Sequence, residues 1–315
     1  PERGRQAYTN LVVAKRRLQK FDEADSVSRR TAERYPDLET GQARGRIVAL
    51  YRRGDTASFR RIVDSILTLG DSADRAWARG PSINIALLDG RVTRALALLV
   101  QNRPDNPNQR QSLNWALNRY DAWANTRMLR RPELVIRKLD EALAGFRGSL
   151  NPSDYVNSAI TYALAGRPDK GRAMLARFDA EIRDTAVKRD VSDTYADAMG
   201  QILLAEGKGL EAVQEFRQAD RRPDGPAFSC LTCLSVGLAQ AYDQSGRADS
   251  AIKYYEHYLT TYDYDRYNFD PAFIHIASRR LGELYATIGA SSRSWACESI
   301  HCVKRSAWTA NPSKA

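Results

Sequence analysis

Four cysteines fall in two close pairs, Cys230-Leu-Thr-Cys233 and Cys297-x4-Cys302, with His301 beside the second. Two such pairs could share one tetrahedral zinc. Cys230 and Cys233 could also act as a redox dithiol if a reactive thiolate sat at a helix N-terminus, or a disulfide could close in an oxidising compartment. A shared zinc would need the entry to one helical hairpin to approach the end of the next. The preferred reading is the plain one, small apolar side chains packed at a helix start, and no metal or cofactor is expected. Of the three histidines, His257 has no metal-ligand partner three or four residues away, and His275, in Phe-Ile-His-Ile, reads as a helix-surface residue. No Ser-His-Asp arrangement can be assembled, so no catalytic residue is assigned and the chain reads as a non-enzyme.

Phosphate chemistry fares no better. Gly200-x6-Gly207-Lys208-Gly209 has the wrong spacing for a phosphate loop and lacks the Ser or Thr after the lysine. Lys188-Arg189-Asp190 stands without the Asp-Phe-Gly and glycine-rich loop of a kinase. The net charge is +10, from 48 Lys+Arg against 38 Asp+Glu. Arginine doublets occur at Arg16-Arg17, Arg29-Arg30, Arg52-Arg53, Arg60-Arg61, Arg130-Arg131, Arg221-Arg222 and Arg279-Arg280. A nucleic-acid reader more often concentrates charge on one face. Here the arginines are scattered among acids, which reads as solvated helix faces and makes nucleic-acid binding the alternative rather than the leading function. No apolar run approaches the roughly 20 residues of a membrane span.

The elements that would position any site follow a beat. Gly54, Gly90, Gly166, Gly207, Gly246 and Gly289 recur, with Gln19 in the equivalent place near the start. Neighbouring anchors are separated by 35, 36, 41, 39 and 43 residues, and the 76 from Gly90 to Gly166 leaves room for one degenerate unit. Five residues after the anchors stand Ala24, Ala95, Gly171, Ala212 and Ala251, with Phe59 and Ser294 as exceptions. A period of this length marks a stacked repeat protein. Each unit reads as two amphipathic helices around a tight turn. In residues 191–223, Tyr195, Met199, Leu203 and Leu204 make one apolar stripe, Gly207 breaks it, and Ala212, Val213, Phe216 and Ala219 make the second. The glycine allows positive φ at the reversal, and the small residue five later lies where the second helix crosses the first most closely.

The later units carry Leu238, Ala239, Tyr242, Gly246, Ala251, Tyr255 and Tyr258, then Leu281-Gly282-Glu283-Leu284-Tyr285 before Gly289. This spacing resembles the tetratricopeptide repeat family over most of residues 5–289. The resemblance implies an all-α, right-handed α-solenoid of seven to eight hairpins. Residues 1–108 form N-terminal repeats, 109–190 a degenerate centre and 191–289 well-matched C-terminal repeats. In the centre, Trp115, Tyr120, Trp123 and Leu129 suggest one helix and residues 134–146 another, with Arg131-Pro132 as the break. The resemblance also implies a non-catalytic scaffold or sensor whose first helices line a concave groove for a peptide or partner protein. Transferred by position, that groove holds Asn157, Asp197, Gln201, Gln240, Asp243, Arg279, Arg280 and Glu283, with Gln6, Asn10 and Arg44 further toward the start. The Lys and Asn pattern by which chaperone-binding members clamp a carboxylate is absent.

Residues 228–259 also look like the C-terminal repeat region of bacterial multidomain signalling proteins, in which repeats follow a Ser/Thr kinase or transcriptional regulator. The start at Pro1 suits such a parent, its upstream part missing. The expected location is cytoplasmic, or extracytoplasmic if a membrane anchor lies upstream. Tyr255 and Tyr258 are expected in the core. Tyr262, Tyr264 and Tyr267, among acids on an inter-unit loop, are a candidate recognition edge. Residues 290–315 break the beat and read as an atypical cap or a disordered tail.

Overall fold

The computed structural model describes residues 2–18, 20–35, 39–101, 117–220, 231–261 and 266–287. Among them are sixteen α-helices, one π-helix and no strand, so the all-α expectation holds. The chain divides into two compact units.

The first unit is built from α1 (Glu2–Arg17), α2 (Phe21–Arg34), α3 (Glu39–Arg53), α4 (Thr56–Leu69), α5 (Ser72–Leu88) and α6 (Val92–Gln101), each packed on the next in sequence. Asp55 and Asp71 cap α4 and α5 by accepting the N–H groups of Ser58 and Asp74 at 3.0 and 2.7 Å, satisfying donors a helix start leaves open. Asp25, only 2% exposed, is held by Arg46, Arg53 and Arg29 at 3.0, 3.2 and 3.4 Å. A buried carboxylate persists only with such partners. The scattered arginines are therefore employed within the fold, and Arg60, which binds both oxygens of Asp89 at 2.7 and 2.9 Å, repeats the pattern.

The second unit contains α7 (Arg119–Trp123), a π-helix (Ala124–Met128), α8 (Pro132–Gly145), α9 (Pro152–Leu164), α10 (Pro168–Glu181), α11 (Thr185–Asp190), α12 (Ser192–Ala205), α13 (Gly209–Gln218), α14 (Leu231–Gln244) and α15 (Ala248–Thr260). The last helix, α16 (Arg266–Thr287), gives its residues through Pro271 to the first unit and the rest to the second. Helices α9 and α10, α12 and α13, and α14 and α15 pair as hairpins. Proline opens α8, α9 and α10, where the missing N–H costs nothing.

The beat is the geometry of the reversals. Gly54, Gly90, Gly166, Gly207 and Gly246 all have positive φ, between 69 and 80°. After the last three, the N–H groups of Arg167, Lys208 and Arg247 reach back five residues to the carbonyls of Tyr162, Leu203 and Tyr242, closing each helix end. The residues five beyond the turns are buried: Ala95, Ala212 and Ala251 are 0% exposed, and a Cβ on Gly171 would stand 3.0 Å from the Ala159 carbonyl oxygen and from Ile202. Gln19, Gly289 and Ser294 lie outside the described residues.

The degenerate unit keeps the turn without the glycine. Arg130 takes positive φ, 53°, and stands 40 residues after Gly90 and 36 before Gly166. Its follower, Arg131, reaches back six residues, to the Asn125 carbonyl, where the regular turns reach five. The π-helix accommodates that extra residue. The helix expected through Leu129 is thus a short α-helix continued by a π-turn, and Trp115 lies outside the described residues.

Sequence reading missed one crossing. Phe216, fully buried on α13, lies against Gly200 of α12 and Gly237 of α14; a Cβ on either would come within 2.6 and 2.9 Å of its ring. Three successive helices close on a single ring because two of them carry no side chain there.

Candidate functional site: a concavity on the second unit

The first helices of successive hairpins present their C-terminal halves to one surface. Ala163 and Leu164 of α9, Gln201, Leu204 and Ala205 of α12, Gln240, Asp243 and Gln244 of α14, and Ile276, Arg279 and Arg280 of α16 line a concavity of about 560 Å³. Tyr255 reaches it from α15, and Arg127 from the π-helix. Its size falls in the range of small-ligand pockets.

Of the residues assigned from sequence, Gln201, Gln240, Asp243, Arg279 and Arg280 come together here, whereas Asn157, Asp197 and Glu283 are not part of the lining. Asn157 is exposed on α9. Asp197 is half-buried one turn before Gln201, which donates to it at 3.3 Å. Burial raises the Asp197 carboxyl to about 6, the Gln201 hydrogen bond lowers it and the nearby Asp193 raises it further. Glu283 accepts from both Arg279 and Arg280. Gln6 and Asn10 pair with each other at 3.0 Å on the exposed face of α1, in the first unit.

The polar lining residues differ in what they have left to offer. Arg280 donates from Nε and Nη2 to the two oxygens of Asp243, at 2.6 and 2.9 Å, and from Nη1 to Glu283 at 2.8 Å. Those bonds raise its already high pKa and hold Glu283 below the usual carboxylate range. Gln244 donates to the Leu204 carbonyl at 3.1 Å. Arg127 is the exception. Its guanidinium lies 5.3 Å from the centre of the Phe273 ring, and its Nε is sealed from solvent without a hydrogen-bond partner. No carboxylate among the described residues pairs with it, and burial lowers it to about 10. The Gln240 amide likewise makes no hydrogen bond to the described residues.

Other chemistry-bearing residues lie elsewhere. His257 is exposed and shares a hydrogen bond with Thr261 at 3.1 Å. Among the described residues no group of three His, Cys, Asp or Glu could hold a metal. Cys230, Cys297, Cys302 and His301 lie outside the described residues, as does the Cys233 side chain. Tyr255 and Tyr258 are core residues, 1 and 0% exposed. Tyr267, expected on a loop, stands in α16 with its ring 6.2 Å from Tyr51, over Phe21, Val48 and Ala49. It serves the first unit's core because the helix starts earlier than the acidic run suggests. Tyr262 and Tyr264 lie outside the described residues.

Residues 235–262, which contain most of α14 and all of α15, match the tetratricopeptide repeat family. The chain carries a tetratricopeptide repeat there. Among curated proteins none matches the chain. No helix of the described residues is long and apolar enough to cross a membrane. Within the matched tetratricopeptide hairpin, Ala239, Ala241, Ala251, Tyr255 and Tyr258 are packing residues, while Gln240, Asp243 and Gln244 face the concavity. In this repeat, which supports protein interaction in general, Tyr255 belongs both to the packing and to the lining.

Proposed function

We propose that this chain is a non-catalytic interaction module whose second unit takes an extended peptide segment of a partner protein in the concavity between α9, α12, α14 and α16. The observation that carries the reading is that four first helices line one hollow and three of them, α12, α14 and α16, contribute polar side chains to it. Mixed amides and charges suit a backbone that needs donors and acceptors along its length. On the same reading the hairpins belong to a right-handed solenoid of seven to eight units. The bacterial signalling context rests on the likeness of residues 228–259, and a cytoplasmic setting is the default that accompanies it.

A photo-crosslinking amino acid tests the surface. Placed at Gln240 it is expected to label an N-acetylated random octapeptide pool, and placed at Gln214, exposed on the outer helix α13, it is not. Equal labelling from both positions would sink the reading. Nucleic-acid binding is disfavoured because Arg29, Arg53, Arg60, Arg279 and Arg280 are each held by a carboxylate.

A further inference from the structure

We propose that Arg127 is an anion anchor in this concavity, receiving a carboxylate of the bound peptide. The inference rests on the peptide reading above and names the chemistry of its ligand. A guanidinium carries five donors in a planar fork and keeps its charge. Burying one without an acceptor is costly, and proteins pair such charges. Arg279 and Arg280 have Glu283 and Asp243. Among the described residues Arg127 has the Phe273 face and the buried Tyr255 nearby but no carboxylate, and its Nε is closed off from water. An anion entering the hollow would supply the partner that Arg127 lacks among the described residues.

The surrounding charge sets the class of anion. Three arginines and one aspartate line the concavity, and Glu283 adds a second carboxylate to the pairs at its edge. The excess is close to one positive charge, which a monoanion balances. A phosphate, carrying about −1.5 to −2, would press against Asp243 and Glu283. The free amide of Gln240 can bond the peptide backbone beside the anchor. The carboxylate can be an Asp or Glu side chain or the end of a chain, and the test distinguishes the two.

Two N-acetylated random octapeptide pools, one ending in a free carboxylate and one in a carboxamide, are passed over the full chain and the retained peptides sequenced. Enrichment of Asp or Glu in the carboxamide pool identifies a side-chain ligand; retention confined to the free-acid pool identifies a terminus. Either result is expected to fall roughly tenfold in Arg127→Met, about 1.4 kcal/mol, and to survive in part in Arg127→Lys. Arg127→Met is expected to melt at or above the wild-type temperature, so lost binding is not lost folding. Retention without acidic preference, preference for phosphoserine peptides, or unchanged retention by Arg127→Met overturns the anchor and leaves the peptide groove standing. A wild-type chain that retains neither pool overturns the groove itself, and the anchor with it.

Discussion

Arg280 on α16 grips Asp243 on α14 through two parallel hydrogen bonds, Nε to Oδ2 at 2.6 Å and Nη2 to Oδ1 at 2.9 Å. Fork-to-carboxylate pairing of this kind fixes both distance and orientation. The two residues read from sequence as ligand contacts therefore spend their hydrogen bonds tying one first helix to the next. Their side chains are 37 and 19% exposed, so solvent screening keeps the gain modest. A double-mutant cycle of Asp243→Ala and Arg280→Ala, read by urea unfolding, is expected to give a coupling of about 1 kcal/mol. Strict additivity would show that the pair is incidental.

Asp197 should make stability depend on pH. Its carboxyl is raised to about 6 by burial, whereas an unfolded Asp titrates near 4. The folded state therefore binds the proton more tightly, and stability is lost as pH rises from about 4 through 6, then levels off. Asp197→Asn removes the titration. A tenfold difference in proton affinity between the folded and unfolded chain is worth about 1.4 kcal/mol, so the variant should exceed wild type by about 1–3 kcal/mol at pH 7.5 and match it near pH 4. A stability difference independent of pH would refute the assignment.

The positive-φ turns make opposite predictions for two substitutions. Gly207→Ala, at φ 80° with open space around the position, meets only backbone strain and should cost about 1 kcal/mol. Arg130→Gly relieves the same strain at φ 53°, partly offset by the freer unfolded chain, and should gain about 0.5 kcal/mol. Thermal denaturation of both variants checks the pair. A loss of stability in Arg130→Gly would mean that the arginine side chain matters more than its backbone.

Phe216 offers a packing test. Gly200→Ala places a methyl 2.6 Å from the ring, and overpacking of this kind costs about 1–3 kcal/mol. Adding Phe216→Leu should return part of that loss, since the smaller side chain makes room. If Gly200→Ala alone is neutral, α12 can move away from α13 and the crossing is looser than the distances say.

Much of this fold was readable because its signals are local. A glycine at a reversal and a small residue at a crossing act within one hairpin, so Gly166 with Gly171, Gly207 with Ala212 and Gly246 with Ala251 announce themselves in sequence. The contacts of Phe216 with Gly200 and Gly237 join three helices and have no fixed spacing to find. The lining was legible in part for the same reason. Gln201, Gln240 and Asp243 keep one phase on regular first helices, while Arg127 sits in a π-turn that shifts the phase by which it would have been counted. The missing glycine between Gly90 and Gly166 was the available warning, and an arginine set among Trp123, Met128 and Leu129 was the second.

A helix advances about 100° per residue, so the residue added within Ala124–Met128 changes which side chains that unit offers to the hollow while its turn stays in place. The step from a hairpin that only stacks to one that delivers a charge is then a change in chain length, not in residue type. Position-by-position alignment of this unit with its neighbours slips at that point, pairing Arg127 with a residue of another face. Novelty in such an array can enter as a frame-preserving insertion of one codon, leaving every structural glycine untouched.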